Sequence, residues 1–375
     1  MNSTDSSQQI ASPAQVDHGA ADGAAGRAEA GKEGGGRVGA ADQDWRYQPD
    51  RRGRQLAQAV RQVVRIRQLW LPGQRVLLAC SGGPDSLAAL LLLDHLRRSL
   101  GHQLTVGLVD HGLQSNRTQA EQLVRQACES RRIPLRVARV SVPAGPQLEA
   151  RARELRYAAL QQLKGELECA VIVTAHHADD QAETWLMRSG RGAGVAGLAA
   201  IRFDRGDGVV RPFLVMDRAD LAHVLGGRPA WTDPSNSDTH HLRNRLRAQV
   251  LPQLESAMPG AARAMARTAA HLQDESAAVQ TWMELALHYA GVGSAVQDGC
   301  IRLPAELVAL HPSALGPLLH WVCNRLQVAP LGQGGVEQIA ASARLTGDAV
   351  VRIAGLTAHR SLGMWTFSRS DVARV

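Results

Sequence analysis

The chain has 375 residues, 45% of them hydrophobic and 21% charged, with a formal net charge of +7; this length suits two or three domains and a sizeable core. No run of 18 apolar residues occurs, and no basic segment leads into an apolar stretch at the N-terminus, which argues against a membrane span or a signal peptide. The five cysteines, Cys80, Cys128, Cys169, Cys300 and Cys323, form no CxxC pair, so zinc-knuckle and obvious iron–sulfur spacings are excluded and they read as core residues in a reducing cytoplasm.

Residues 1–44 are rich in Ala, Gly, Ser and Gln and cannot bury enough surface to offset their ordering entropy, so a disordered tail is expected there. Leu56 to Leu69 reads as an amphipathic helix. Strands follow at Arg75–Cys80, Leu104–Val109, Leu135–Val140 and Ala170–Thr174. Helical stretches alternate with them near 86–100, 118–131, 147–163 and 179–189. That alternation predicts βαβ units with right-handed crossovers and a parallel sheet, hence an α/β fold. Beyond residue 251 a helix with a 3–4 apolar spacing (Met265, Ala269, Leu272, Val279, Met283) comes first. A second helical region spans about 304–326, and Gly347 to Ser368 alternates like a terminal hairpin. The expected division is therefore a tail at 1–44, a catalytic α/β domain at 45–250 and a smaller, mainly helical region at 251–375.

Charge is unevenly spread: residues 1–50 are net −4 and the remainder +11, and only Lys32 and Lys164 are lysines. An arginine-rich body is the footprint of a nucleic-acid binder, although a GC-rich genome would produce the same bias.

The first strand empties into Ser81-Gly82-Gly83-Pro84-Asp85-Ser86, and a helix starts at once. Glycines let the backbone approach a ligand closely, and the amides at a helix start form an anion site. No Lys follows, so this is not the GxxxxGK[ST] loop of kinases and GTPases. In such sheets ligands bind beyond the carboxyl ends of the strands. Asp110-His111-Gly112 ends the second strand, and His176-His-Ala-Asp-Asp-Gln-Ala-Glu183 follows the fourth. Asp180 and Glu183 are at i and i+3 on one helix face, suited to Mg²⁺ or to a cationic substrate; an acidic helix start would also place them there. Zinc fits poorly, because His176 and His177 are adjacent and nothing completes a tetrahedral set.

Seven ordered motifs then carry a resemblance. Ser81–Ser86, Val109-Asp-His-Gly-Leu113, Glu149-Ala-Arg-Ala-Arg-Glu-Leu-Arg-Tyr157, His176–Arg188, Arg191-Gly-Ala-Gly194 with Arg211-Pro212, Trp231-Thr-Asp-Pro-Ser-Asn236, and Arg243-Asn-Arg-Leu-Arg247 look like those of the bacterial tRNA(Ile)-lysidine synthetases. The likeness is close over about 74–250 and loose beyond. It implies an adenine-nucleotide α-hydrolase-like (Rossmann-like) catalytic domain in a cytoplasmic, ATP-dependent ligase forming C–N bonds. Its substrates would be L-lysine and a CAU-anticodon tRNA(Ile). O2 of the wobble cytidine (position 34) is adenylated, and lysine displaces AMP to give lysidine, AMP and pyrophosphate.

The resemblance assigns ATP to Ser81, Gly82, Gly83, Pro84, Asp85, Ser86, Asp110 and His111, with Asp85 also on Mg²⁺. Asp180 and Glu183 would hold the lysine, and the catalytic set would be Asp85, His176, Asp180 and Glu183. A nearby carboxylate or His176 could serve as base. Arg151, Arg153, Arg156, Arg243 and Arg247 would meet tRNA phosphates. One departure stands out: Ser189-Gly190 should weaken or end the helix before Arg191. Two rivals share the loop, a 2-thiocytidine-type tRNA thiolation enzyme, which would want cysteine pairs, and a small-molecule ATP-pyrophosphatase ligase, which would leave the arginines idle. A nucleotide sensor would not need the HHADD cluster. The oligomeric state is left open, with a homodimer as one option.

Overall fold

The computed structural model describes residues 44–110, 117–143, 145, 148–232, 242–289, 291–292, 298–309, 312–345 and 347–370; the expected disorder of 1–44 falls almost wholly outside them. The contacts divide the chain into two compact units, one up to His271 and one from Leu272, whereas the sequence reading set the boundary after residue 250.

In the first unit, α1 (Arg51–Ile66) precedes β1 (Arg75–Ala79), α2 (Pro84–Leu100), β2 (Gln103–Asp110), α3 (Arg117–Ser130), β3 (Leu135–Arg139), α4 (Leu148–Glu166), β4 (Val171–Val173) and α5 (Ala178–Ser189). Then come α6 (Val195–Leu198), β5 (Val209–Val210), a 3-10 turn at Pro212–Val215, α7 (Arg218–Leu225), α8 (Leu242–Arg245), a π-turn at Leu246–Val250 and α9 (Leu251–Ala257). The long helix α10 (Ala261–Tyr289) runs from the first unit into the second.

The five strands form one sheet in the order β3-β2-β1-β4-β5, every pair parallel. Sequence order reverses direction between β1 and β4, which opens a crevice at their carboxyl ends. Side chains alternate across the sheet as the pleat demands. Val76, Leu78, Val171 and Val173 join the core beneath α1, α2, α3 and α7, whereas Leu77, Ile172 and Val209 join Tyr157, Leu160 and Leu163 of α4 on the other face. Both faces are covered, so the strands are apolar runs rather than alternating ones. The short β5 carries too little pattern to be recognised in the sequence. Helix α5 ends at Ser189, with Gly190 at its C-cap, as the Ser-Gly pair predicts.

In the second unit the expected terminal hairpin is part of a larger sheet. Strands β6 (Cys300–Pro304), β7 (Ala349–Ile353), β8 (Leu356–Ser361) and β9 (Met364–Arg369) form a four-stranded antiparallel sheet in the order β6-β9-β8-β7. Helices α11 (Ala305–Val308), α12 (Pro312–Leu326) and α13 (Gln333–Ala343) accompany it. Ile301 and Leu303 of β6 meet Trp365 and Phe367 in one core. Five residues of alternation whose partner strand lies some sixty residues on cannot be identified locally. Phe367 is fully buried, so Phe367→Ala should destabilise this unit by about 3–5 kcal/mol, read by urea denaturation; a change below about 1 kcal/mol would show a core that collapses around the gap.

Candidate functional site

Two walls face each other across the β1/β4 crevice. The first is the loop after β1. Gly82 has φ +81°, and a Cβ there would meet the Ala120 carbonyl oxygen at 2.9 Å, so only glycine fits. The Trp231 amide donates to the Gly82 carbonyl at 2.9 Å. Ser86 folds back over the turn: its hydroxyl accepts from the Ser81 amide (3.2 Å) and donates to the Gly83 carbonyl (2.9 Å). Gly83 caps α2 without any side-chain bond, and Pro84 follows in the first turn, where its missing amide costs nothing. The start of this 17-residue helix is thus open to an anion. The Asp85 carboxylate stands in the same turn with its side chain 35% exposed.

The second wall is the start of α5. His177 is its N-cap, and its amide donates to Asp180 Oδ2 at 3.0 Å in a capping box. The His177 ring is buried, with Nδ1 3.2 Å from Asp179 Oδ2 and Nε2 3.5 Å from Asp85 Oδ2 and 3.6 Å from Asp180 Oδ2. Burial opposes a charge on this ring, but Asp180, Asp179 and Asp85 outweigh it and push the imidazole up to about 10. The Asp179 amide also lies 3.3 Å from Nδ1; a charged ring donates instead to the carboxylate. Against the opposing effect of burial, His177 in turn holds Asp179 and Asp180 below the usual carboxylate range, with His176 and Arg243 adding to the effect on Asp180.

Asp180 and Glu183 share a face as expected, and both are buried. Their partners are Arg243 and Arg247. Arg243 donates to Glu183 Oε2 (2.6 Å) and Asp180 Oδ1 (2.7 Å). Arg247, in the π-turn, donates to Glu183 Oε1 (2.6 Å) and to Asp180 Oδ1 (3.2 Å). The residues read separately as lysine binders and tRNA binders are therefore tied to one another in this conformation. The two arginines stay 38% and 27% exposed, so the network opens towards solvent on their side.

His176 bonds Thr174 Oγ1 through Nδ1 at 2.8 Å. Burial, reinforced by Arg211, Arg153 and Arg243 against the pull of Asp180, depresses its imidazole to about 3. It is neutral at pH 7 and too weak a base to hold a proton taken from an ammonium, which argues against it as the base. On α4, Arg153 and Arg156 gather at Tyr157, with their guanidinium carbons 5.1 and 5.7 Å from its ring centre, while Arg205 stacks at 4.0 Å. The off-face Arg151 keeps Nε and one Nη buried without a hydrogen-bond partner. Buried Arg211 donates to the Arg202 carbonyl at 2.8 Å.

Asp110 stands at the end of β2, partly exposed; His111 and the Asp233–Asn236 turn lie outside the described residues. Residue-type reasoning assigned nothing to His177, Asp179, Tyr157, Arg205 or Arg211. His177 and Asp180 at N-cap and N3 spacing were the one usable signal. Among the described residues no three His, Cys, Asp or Glu side chains cluster as metal ligands. A lone half-open carboxylate fits a Mg²⁺ shared with phosphates, which uses one or two carboxylates and keeps its waters.

Residues 52–254, more than half of the chain, match the PP-loop domain family. A tRNA(Ile)-lysidine synthase from Novosphingobium aromaticivorans is 34% identical over 311 residues, covering 81% of this chain and 91% of that protein. One from Thermobifida fusca is 40% identical over 258 residues, covering 66% and 78%. The chain belongs to the tRNA(Ile)-lysidine synthase family. It is accordingly an ATP-using enzyme of the ligase class that forms C–N bonds. Among solved structures, the U34-tRNA thiolase NcsA from Methanococcus maripaludis is similar in fold, with a TM-score of 0.50 at 18% identity, covering 59% of this chain and 78% of that one. No helix among the described residues is long and apolar enough to cross a membrane.

Two outcomes follow for this family member. Ring-nitrogen NMR should find His176 neutral from pH 8 down to 5 and His177 charged up to pH 8; a midpoint between 6 and 7 for either would refute the charge arrangement. The raised imidazole of His177 stabilises the fold fully below its unfolded value near 6.5, and this is lost as pH rises towards about 10. Glu183→Gln leaves two arginines short of charge and should cost about 3–5 kcal/mol in chemical denaturation; a loss under about 1 kcal/mol would mean the network is not built in solution.

Proposed function

We propose that the chain ligates L-lysine to C2 of the wobble cytidine of a CAU-anticodon tRNA(Ile) at the cost of ATP, in the cytoplasm. The observation that carries the reading is the His177 ring, within 3.6 Å of both Asp85 in the phosphate loop and Asp180 in the cation-binding pair. One imidazolium thus joins a site for phosphates to a site for a cation, and the reaction brings those two groups to one carbon.

In the first step the Ser81–Ser86 loop and the start of α2 hold the β- and γ-phosphates. Cytidine O2 attacks the α-phosphorus, and pyrophosphate leaves. Mg²⁺, held by Asp85 and the phosphates, would supply charge neutralisation, the main lever in such transfers. AMP makes O2 a good leaving group. In the second step the lysine ε-amine, having lost its proton, attacks C2, and AMP departs. Asp180 and Glu183 already hold two cationic side chains, and partial exchange of Arg243 or Arg247 for the lysine ammonium keeps the carboxylates compensated. His176, depressed to about 3, and Asp180, held below the usual carboxylate range, are both weak bases, so the arrangement assigns that proton to neither of them. Arg153 and Arg156 form the basic flank for the anticodon stem-loop, whose bases can be splayed out at modest cost, and Arg151, with two nitrogens buried, stands behind them.

Incubation with CAU-anticodon tRNA(Ile), ATP and labelled lysine should place label in the tRNA and release AMP and pyrophosphate. Label in free small molecules alone, or none, would reject the reading. Asp85→Asn should abolish pyrophosphate release while keeping the fold, since Asp85 is 35% exposed in the first turn of α2 and the helix is capped at Gly83 without it. Asp180→Asn should raise the lysine requirement more than the ATP requirement; equal damage to both would move Asp180 to the phosphates or the fold.

A further inference from the structure

A second polar cavity lies at the other end of the parallel sheet. It measures about 450 Å³ and opens where β1, β2 and β3 begin, lined by Arg75, Arg97, His102, Thr105 and Arg136 among others. The Ser81–Ser86 loop is at the carboxyl end of β1. At ~3.3 Å per strand residue the two places are roughly 20 Å apart.

The lining has a marked chemistry. It includes three arginines and no carboxylate. Arg75 donates to the Leu167 carbonyl at 2.6 Å, and Arg136 to the Leu135 carbonyl at 3.2 Å; neither partner offsets a charge. Arg97 has Asp94 at 3.0 Å, but Asp94 is shared with Arg131 at 2.7 Å, so that trio keeps one positive charge. His102 is 5% exposed, and neither ring nitrogen has a hydrogen-bond partner; the Leu93 backbone approaches one of them without reaching hydrogen-bond geometry. A buried polar ring without partners is costly. Burial and Arg97 hold its imidazole down at about 4, so the ring stands in the cavity wall as a neutral group with both nitrogens covered. Leu104, Pro134 and Leu167 add an apolar wall.

We propose that this cavity binds a small phosphorylated compound of mononucleotide size, at a site separate from the Ser81–Ser86 loop. The volume lies within the usual range for small-molecule sites, roughly 300–1,000 Å³. Guanidiniums recognise phosphate oxygens, and the apolar wall of Leu104, Pro134 and Leu167 suits a ring. An RNA backbone would reach only the exposed rim at Arg136, whereas a small molecule that enters the cavity meets Arg75, Arg97 and the apolar wall together.

The test uses the full chain with AMP and, separately, inorganic pyrophosphate. Arg136 is exposed on the edge strand β3, so Arg136→Ala should fold normally. In equilibrium dialysis this variant should lose one saturable equivalent of either probe, or weaken it at least tenfold. Ring NMR of His102 provides a second readout: its signals should move on addition of AMP in the wild type and equally in Asp85→Asn. Unchanged stoichiometry and affinity in Arg136→Ala with a silent His102 would overturn the proposal. So would a loss of tRNA affinity in Arg136→Ala with AMP binding intact, which would make the rim an RNA contact. No readout involves lysine or cytidine chemistry, so the result is independent of the function proposed above.

Discussion

Two carboxylates one helical turn apart, Asp180 and Glu183, are buried at the head of α5, and much of the first unit's functional end depends on how their charge is met. An isolated ionised carboxylate in such a place is prohibitively costly. Arg243 and Arg247 reach both from the far side, and His177 approaches Asp180 from the loop side. Removing any member leaves a charge uncompensated, so the segment around Leu242–Val250 is held against α5 by electrostatics as much as by packing. That packing is small: Ala182, Leu251 and Ala262 form a minor apolar cluster. A site that relies on exchangeable ion pairs rather than a large core can admit another cation without losing its framework.

The sheet order explains why two chemically different walls meet. Because β1 and β4 are neighbours, the loop after β1 and the helix after β4 rise from adjacent strand ends. The Asp85–His177–Asp180 bridge is the direct consequence. The same topology leaves the amino ends of β1, β2 and β3 together at the opposite rim, where arginines collect around His102. Parallel strands therefore give this unit two distinct ends: one with helix starts, acidic groups and a buried imidazolium, the other with guanidiniums.

Most of the α/β scaffold was legible along the chain. Buried strands such as Val76–Leu78 announce themselves as short apolar runs bounded by turns, and Gly82 announces a backbone position closed to other residues. Two-residue β5 and five-residue β6 did not, because a strand that short is stabilised by its partner rather than by its own pattern. The site divided in the same way. Asp180 and Glu183 were identifiable as one face because helical spacing is local. That Arg243 and Arg247 would be their partners was not, since some sixty residues separate them. His177 and His176 are adjacent and chemically identical, yet one is driven up to about 10 and the other down to about 3. Capping-box spacing singles out His177 as the helix start, but the opposite directions of the two shifts depend on burial and on distant charged groups.

What the sequence by itself determined was everything set by near neighbours: the glycine turn, the helix starts, the order of strands and helices, and the inventory of charged groups. What only the tertiary structure decided was which charges face which. Coulomb interactions and desolvation depend on distance and burial rather than on chain order. Folding turned a presumed lysine-binding pair and two presumed RNA-binding arginines into one network, and made one of two neighbouring histidines a cation.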